Sequence, residues 1–458
     1  MPRTRQRYFI LALITIVLAF STGDRATLSI AGSGMSRELG LDPVQMGWLF
    51  SAFAWAYVMA HIPAGWLVDR FGVRLTVMAG LLAWSLCTMF MGAAAWFVQV
   101  FAALLVLRFL LGTFEAPVGP ASARVIAAWF PATERGLAGA IFNSAQYVSL
   151  ALFTPLMGWL DHRFGWEHVF SVMGALGLLL AVLWWFSYAP PSTHKRINAE
   201  ELDYIRQGGG LVELGASHAG RGIPPAPPPP TLASVLGLLR SRMLAGIFLS
   251  QYCISAITWF FVSWFPTYLV KDRGMSILTA GVVASIPALC GFFGGVASGY
   301  VSDHLYRRTG SLTIARKIPI ICGMLLTSAM IGCNFVTADW MVIALMSLAF
   351  MGKGCGSLGW AVVADTAPRS MIGLTGGVFN AIGNTAGITT PLIIGLILGR
   401  TGSFYWALVF VGCHGLVAVL SYLFVVGRIE RFDPGLPADA ATAATRPDLM
   451  PQGRTDHP

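Results

Sequence analysis

Apolar runs about 20 residues long, the length a membrane-spanning helix needs, recur almost without pause from Tyr8 to Val426. Short stretches carrying Pro, Gly or charge separate them. The runs give twelve spans, at 8–31, 44–68, 75–96, 99–122, 134–160, 166–189, 241–270, 275–302, 314–336, 338–363, 371–398 and 403–427. An all-α integral membrane protein is expected. The first run could pass for a secretory leader, but it has no small-residue cleavage site and holds Asp24-Arg25 in its middle, so it should remain in the mature chain.

One polar stretch, 190–240, interrupts the pattern and separates a six-helix unit (1–189) from a second (241–427); a polar tail, 428–458, follows. Within the linker, Asn198 with Glu201 three positions on has the form of a capped short helix. Beyond it, Gly208-Gly209-Gly210 and the run Pro224 to Pro230 predict stiff, unfolded chain. The tail is too short and too poor in apolar residues to build a domain, and disorder is expected there.

Composition agrees: 56% of residues are apolar and 11% charged, and mean hydropathy is +0.68, whereas soluble domains carry about 25% charge. Most of the 30 Lys and Arg residues fall on one side if both termini are cytoplasmic. The opposite loops keep Arg37, Arg163, Lys271, Arg273 and Arg400. The net charge of +9 therefore reflects topology, and no basic soluble domain exists for a nucleic acid. Seven scattered Cys, without CxxC spacing or clustered His, predict no metal site. A soluble catalytic domain has no room either, which argues against an enzyme or a membrane sensor.

The halves share a signal. Gly65-Trp66-Leu67-Val68-Asp69-Arg70-Phe71-Gly72-Val73-Arg74 recurs weakly around Asp303, about half the chain later, as duplication of one unit would give. This GxLxDRxGxR loop resembles the signature of the major facilitator superfamily. The resemblance implies two six-helix bundles rocking about a central cavity, with Gly65, Asp69, Arg70, Arg74 and Asp303 in the loops that switch conformation. Asp69 is expected to accept hydrogen bonds from helix ends of the other bundle.

Charges inside the spans are the candidate working parts, because each costs about 2.5–3.5 kcal/mol at the bilayer centre. Asp24 and Arg25 are adjacent, so they point about 100° apart and cannot bridge each other well. Each must find a partner elsewhere. Arg108 and Glu115, seven apart, return to one face of the fourth span, where Arg108 can hold a carboxylate and Glu115 can take a proton. Lys353 lies deep in the tenth span within Gly352-Lys353-Gly354, whose glycines would admit a bulky group; Arg124 reads as a cation at a helix end. Tyr57, Asn143, Ser144, Gln146, Ser357, Asn380 and Asn384 add neutral polar groups that together predict a polar cavity. His61 reads as a helix-packing residue with its ring nitrogens satisfied rather than as a proton carrier.

Cations at Arg25, Arg108 and Lys353 favour an anion. Buried carboxylates at Asp24 and Glu115 can occupy those cations until protonated, which would couple proton entry to anion entry. No cofactor beyond the coupling proton is expected.

A narrower resemblance covers nearly the whole chain. Asp24-Arg25, Tyr57 within Phe53-Ala54-Trp55-Ala56-Tyr57, Arg108-Phe109 with Glu115-Ala116-Pro117, Ala128-Trp129-Phe130-Pro131 with Glu134-Arg135-Gly136, and Phe142-Asn143-Ser144-Ala145-Gln146-Tyr147 are similar to the anion:cation symporter family. That resemblance implies proton coupling at Asp24 and Glu115, and a sugar-acid site at Arg25, Tyr57, Arg108, Gln146, Ser357 and Asn380. Ala26 to Gly32 and Gly352-Lys353-Gly354 ahead of Leu358-Gly359-Trp360-Ala361 look most like galactarate/glucarate transporters, with Lys353 as the cation for a second carboxylate. His61 and Ala64 depart from the family's usual Gln and Gly. Monocarboxylate sugar acids such as galactonate or gluconate, or another organic or aromatic carboxylate, are the alternative substrates. A monomer in a bacterial inner membrane is expected.

Overall fold

The computed structural model describes residues 4–131, 133–212, 232–368 and 371–432. Twelve helical rods run through it. The first bundle comprises α1 (Gln6–Glu38), α2 (Pro43–Phe71), α3 (Val73–Met91), α4 (Val100–Trp129), α5 (Arg135–Phe164) and α6 (Trp166–Ser187). The second comprises α7 (Arg242–Ser263), α8 (Ile277–Thr309), α9 (Leu312–Phe335), α10 (Asp339–Thr366), α11 (Ile372–Thr401) and α12 (Tyr405–Val425). The twelve expected spans map onto these rods one to one.

All rods except α2 are long and apolar enough to cross a membrane. Helix α2 has the length, 29 residues, but its apolar run is diluted by Gln45, His61 and Asp69-Arg70. Several rods outrun their spans, because a helix ends at a cap and not at the edge of the hydrocarbon. Asp42 caps α2 through a full capping box, with Pro43 at the first helical position, and Gly310 and Gly402 close α8 and α11 in the left-handed conformation.

Asn198 does cap a short helix, Ala199–Gln207, its side chain accepting from the Glu201 backbone N–H at 3.0 Å. The Glu201 carboxylate, however, turns away from the cap. Fully buried, it accepts from Thr4 Oγ1 at 2.6 Å, Gln6 N at 3.0 Å and the Arg7 guanidinium at 3.1 Å. Arg7 also reaches Glu134 in the α4–α5 loop at 3.1 Å. The linker helix is thereby fastened to the first bundle. A second short helix, Leu232–Arg240, was not legible from the sequence; Pro224 to Pro230 and residues 433–458 lie outside the described residues.

The bundles meet through α2 against α11 and α5 against α8. Each of these four helices contains an internal proline, Pro63, Pro155, Pro287 and Pro391, which removes a backbone donor from the helical ladder. Glycines permit the approach: a Cβ on Gly158 would lie 3.0 Å from the Gly281 Cα, and one on Gly47 would lie 2.9 Å from the Pro391 oxygen. Among the described residues, the side-chain hydrogen bonds across the interface are Ser29 Oγ to Ser263 O at 2.5 Å, Ser51 Oγ to Ile388 O at 3.0 Å and Lys271 Nζ to Ser36 Oγ at 3.4 Å. All lie in the half remote from the chain termini. Toward the termini the same four-helix set loosens, and Gly65, Gly299 and Gly377 have nothing within 4 Å of a would-be Cβ. The cavity thus opens at the end that carries the linker.

Close glycine packing within a bundle should be the least forgiving feature. Gly294→Ala would drive its Cβ into the Met351 carbonyl and should cost about 1–3 kcal/mol, read as a lowered melting temperature of the purified protein in detergent. Gly299→Ala meets no neighbour and should leave stability unchanged or raise it by about 0.5–1 kcal/mol. Equal melting temperatures for both variants would contradict this packing.

Candidate functional site

Helix α4 is drawn against α2 because Gly112 lets it sit on the Phe53 carbonyl, and against α3 because a Cβ on Gly80 would lie 2.7 Å from the Phe114 oxygen. The rod breaks at Ala116-Pro117, between segments Val100–Glu115 and Val118–Trp129, since Pro117 cannot donate to the helical ladder. Glu115 is left at the end of a segment, facing α1. Arg108, two turns earlier, shares that buried face.

Here the two neighbours on α1 find separate partners. Arg25 donates through Nε to Glu115 Oε1 at 2.6 Å and makes a second contact through Nη2. Ser21, one turn earlier, donates to the same oxygen at 2.6 Å. Asp24 takes Thr88 Oγ1 of α3 on Oδ2 at 2.7 Å. Glu115 Oε2 and Asp24 Oδ1 are buried and have no hydrogen-bond partner among the described residues. Each carboxylate therefore has one engaged oxygen and one bare one. Buried, bare carboxylate oxygens are costly, and a proton is the smallest group that relieves that cost.

The Arg25 guanidinium also lies over the rings of Phe53 and Tyr57, at 5.0 and 4.9 Å, a cation–π arrangement on its cavity side. Arg25 is part-exposed, whereas Arg108 is only 2% exposed. Arg108 donates to the Leu49 carbonyl at 3.3 Å and sits behind Phe53, 5.4 Å from its ring, within electrostatic reach of Asp24 and Glu115. In this state Arg108 lies almost fully buried beside Phe53, and Arg25 is the more exposed of the two cations.

From the other bundle, Lys353 on α10 projects between Tyr147 and Phe350, its Nζ 5.1 Å from each ring. The flanking glycines do not admit a ligand. Gly352 packs on Gly323 of α9 and Gly354 on Gly291 of α8, backbone to backbone, so they press α10 between its neighbours and leave Lys353 to point inward. Ser357 follows in a short 3₁₀ turn, exposed. Gln146 on α5 is exposed, Ser144 bonds back to the Ile141 carbonyl, and Asn384 donates to Asn380 Oδ1 at 3.1 Å on α11. The side chain of Asn143 lies outside the described residues.

Other groups of this face are not announced by the sequence. Gln251 and Ser255 on α7 bond each other at 3.5 Å beside Gly383. Phe53 and Trp259 meet at 6.1 Å, and Phe261 and Phe350 at 4.4 Å, closing the cavity toward the remote end. In sequence these aromatics look like any core ring; only a Gln in an apolar span could have been flagged.

Of the loop residues, Asp69 has a different partner from the one expected. Asp69 pairs with Arg124 of its own bundle, not with helix ends of the other. With the bundles apart at this end, Arg124 is the cation within reach. Arg74 donates to the Trp185 carbonyl at 2.6 Å and Arg70 lies 5.3 Å over the Trp66 ring. Asp303 is exposed, and its neighbour Ser302 accepts from Arg316, which pairs with Asp365 at 2.9 Å.

A family model described as Major Facilitator Superfamily matches residues 14–316. The chain is 52% identical over 437 residues to the "Probable galactarate/D-glucarate transporter GudP" of Escherichia coli (strain K12), covering 94% of this chain and 96% of that one. It is 52% identical to the Bacillus subtilis (strain 168) protein of the same name, covering 94% of each. To the "D-galactonate transporter" of Escherichia coli O6:H1 it is 40% identical, covering 93% and 97%. Among solved structures, a bacterial homolog to the human lysosomal transporter Spinster, in an inward-facing and unoccupied conformation, superposes with a TM-score of 0.68 at 17% identity, covering 92% and 95%. A D-xylose-proton symporter does so at 0.67 and 14%, covering 92% and 98%.

The ion pair should dominate the stability of this cluster. Arg25→Ala strands a fully buried Glu115 and should cost about 3–5 kcal/mol, while adding Glu115→Gln to it should recover part of that loss. A double-mutant cycle on melting temperature checks this; a double variant less stable than Arg25→Ala would refute it.

Proposed function

The chain belongs to the major facilitator superfamily, and we propose that it is a proton-coupled symporter importing a sugar-acid anion, galactarate or D-glucarate, by alternating access. The observation that carries this reading is the Arg25–Glu115 bond, in which the cation best placed for a ligand carboxylate is occupied by a carboxylate that can be neutralised. The names of the 52% identical relatives supply the substrate class.

The chemistry runs as follows. A proton on Glu115 removes the charge that holds Arg25, and the freed guanidinium takes one carboxylate of the incoming anion while Tyr57 packs beneath it. Asp24, held by Thr88 through one oxygen, offers a second protonation site within reach of Arg108. Lys353 faces the second carboxylate of a dianion, with Gln146, Ser357 and Asn380 along the hydroxyl-bearing chain. Each negative charge carried into a cell held at −100 mV costs about 2.3 kcal/mol; each proton brought along cancels that cost.

Basic residues concentrate at the end where the cavity opens, so by the positive-inside rule that end is cytoplasmic and the state described is inward-facing. Once the anion leaves toward the cytoplasm and Glu115 loses its proton, Arg25 and Glu115 re-form their bond. The empty carrier is then free to turn back without an uncompensated charge in its centre. The 40% identity to a galactonate transporter supports a second reading, a monocarboxylate sugar acid.

Proteoliposomes test both. Labelled galactarate should accumulate under an inward proton gradient and stop accumulating with a proton ionophore, and Glu115→Gln should bind anion yet fail to concentrate it. Full pH-driven accumulation by Glu115→Gln would refute the coupling role. Lys353→Ala should abolish galactarate and glucarate uptake while sparing galactonate; equal loss for all three would reduce Lys353 to a structural role.

A further inference from the structure

His61 is a polar side chain that the mechanism leaves unused. It stands one helical turn beyond Tyr57 on α2, about 6 Å along the axis toward the open end, and its ring lies 5.3 Å from the Tyr57 ring. The guanidinium of Arg25 lies 4.9 Å from the same tyrosine ring, so Tyr57 has both Arg25 of the ion pair and His61 as neighbours.

Two observations set His61 apart from a packing residue. Its Nδ1 is buried with no hydrogen-bond partner among the described residues, which corrects the expectation of a satisfied ring. Across from it, α4 carries Gly119, where a Cβ would lie 3.3 Å from His61 Cε1, 3.8 Å from Nε2 and 3.9 Å from the Tyr57 hydroxyl. A side chain at 119 would crowd the ring edge and the hydroxyl together; glycine leaves both clear. Nδ1 is sealed off in either tautomer, so Nε2 is the ring nitrogen left to meet a ligand, and with the ring proton on it the imidazole is a neutral donor.

We infer that His61 is a specificity-determining contact on the exit side of the site, donating from Nε2 to a hydroxyl or distal carboxylate oxygen of the sugar acid whose near carboxylate is held by Arg25. The inference rests on the sugar-acid reading above. It gives the departing anion a polar foothold beyond the ion pair, so that Glu115 can recapture Arg25 before the ligand has left the protein. A neutral donor suits that step better than a cation, which would hold the anion back. Charged groups near the ring are Arg25 and, through it, Glu115; neither is displaced by a neutral imidazole.

Equilibrium binding of galactarate to the purified full-length protein in detergent tests this with His61→Leu and His61→Gln, each checked for an unchanged melting temperature. Removing the donor in His61→Leu should raise Kd roughly tenfold, the loss of one hydrogen bond to a charged or polyhydroxyl ligand, while His61→Gln, which restores an N–H donor, should stay close to the parent. Parent-like binding by His61→Leu would overturn the inference while leaving the sugar-acid reading intact. So would equal weakening in both variants, which would mark a packing role. A parent that binds neither galactarate, glucarate nor galactonate would overturn the sugar-acid reading and this contact with it.

Discussion

A charge inside a bilayer must be paired, neutralised or hydrated, and the centre of this protein is arranged around one such pair. Arg25 and Glu115 come from different helices, and each would be prohibitive alone. Their bond explains the local architecture around it. Gly112 and Gly80 let α4 approach α2 and α3 closely, Pro117 ends the helical segment at the residue that must face α1, and Ser21 completes the carboxylate's hydrogen bonds on one oxygen only. A pair satisfied on all sides would be a structural lock. One with a bare oxygen and a part-exposed cation can exchange partners.

The scaffold around the pair divides into parts that stay fixed and parts that slide. Backbone-to-backbone glycine contacts inside each bundle, such as Gly352 on Gly323 and Gly354 on Gly291, leave no slack for relative motion. Contacts between bundles are of another kind: glycine pairs at 158 and 281 and at 47 and 395, with a few serine hydroxyls reaching carbonyls. Such contacts part without stranding a charge. The four helices α2, α5, α8 and α11 touch closely at Gly47, Gly158, Gly281 and Gly395, whereas Gly65, Gly299 and Gly377 have no close neighbour.

How much of this could be read from the sequence follows from what stands out against an apolar background. Asp24, Arg25, Arg108, Glu115 and Lys353 were legible because each contradicts its helix. Periodicity showed that Asp24 and Arg25 could not bridge each other and that Arg108 and Glu115 share a face. It could not say how deep each side chain lies: Arg108 is almost fully buried beside Phe53, while Arg25 keeps part of its surface open. Aromatic rings that close the cavity were invisible because Phe53, Trp259 and Phe350 look like lipid-facing or core residues alike. Glycines around Lys353 were noticed but misread, since a glycine permits close approach without saying whether a ligand or another helix makes it. Asp69 was assigned a partner across the bundles because sequence carries no information about which conformational state is populated.

The Glu201 carboxylate, buried beneath Thr4, Gln6 and Arg7, has a bearing on how the protein is made. Residues at the very start of α1 obtain their partner from a helix that leaves the ribosome only after all six rods of the first bundle. Until then, Arg7 waits at the membrane edge with Glu134 as its sole described acidic neighbour. The contact that fastens the start of α1 therefore comes from residues synthesised after all six rods of the first bundle. The linker helix thus belongs by its bonds to the first half, although in sequence it lies between the two.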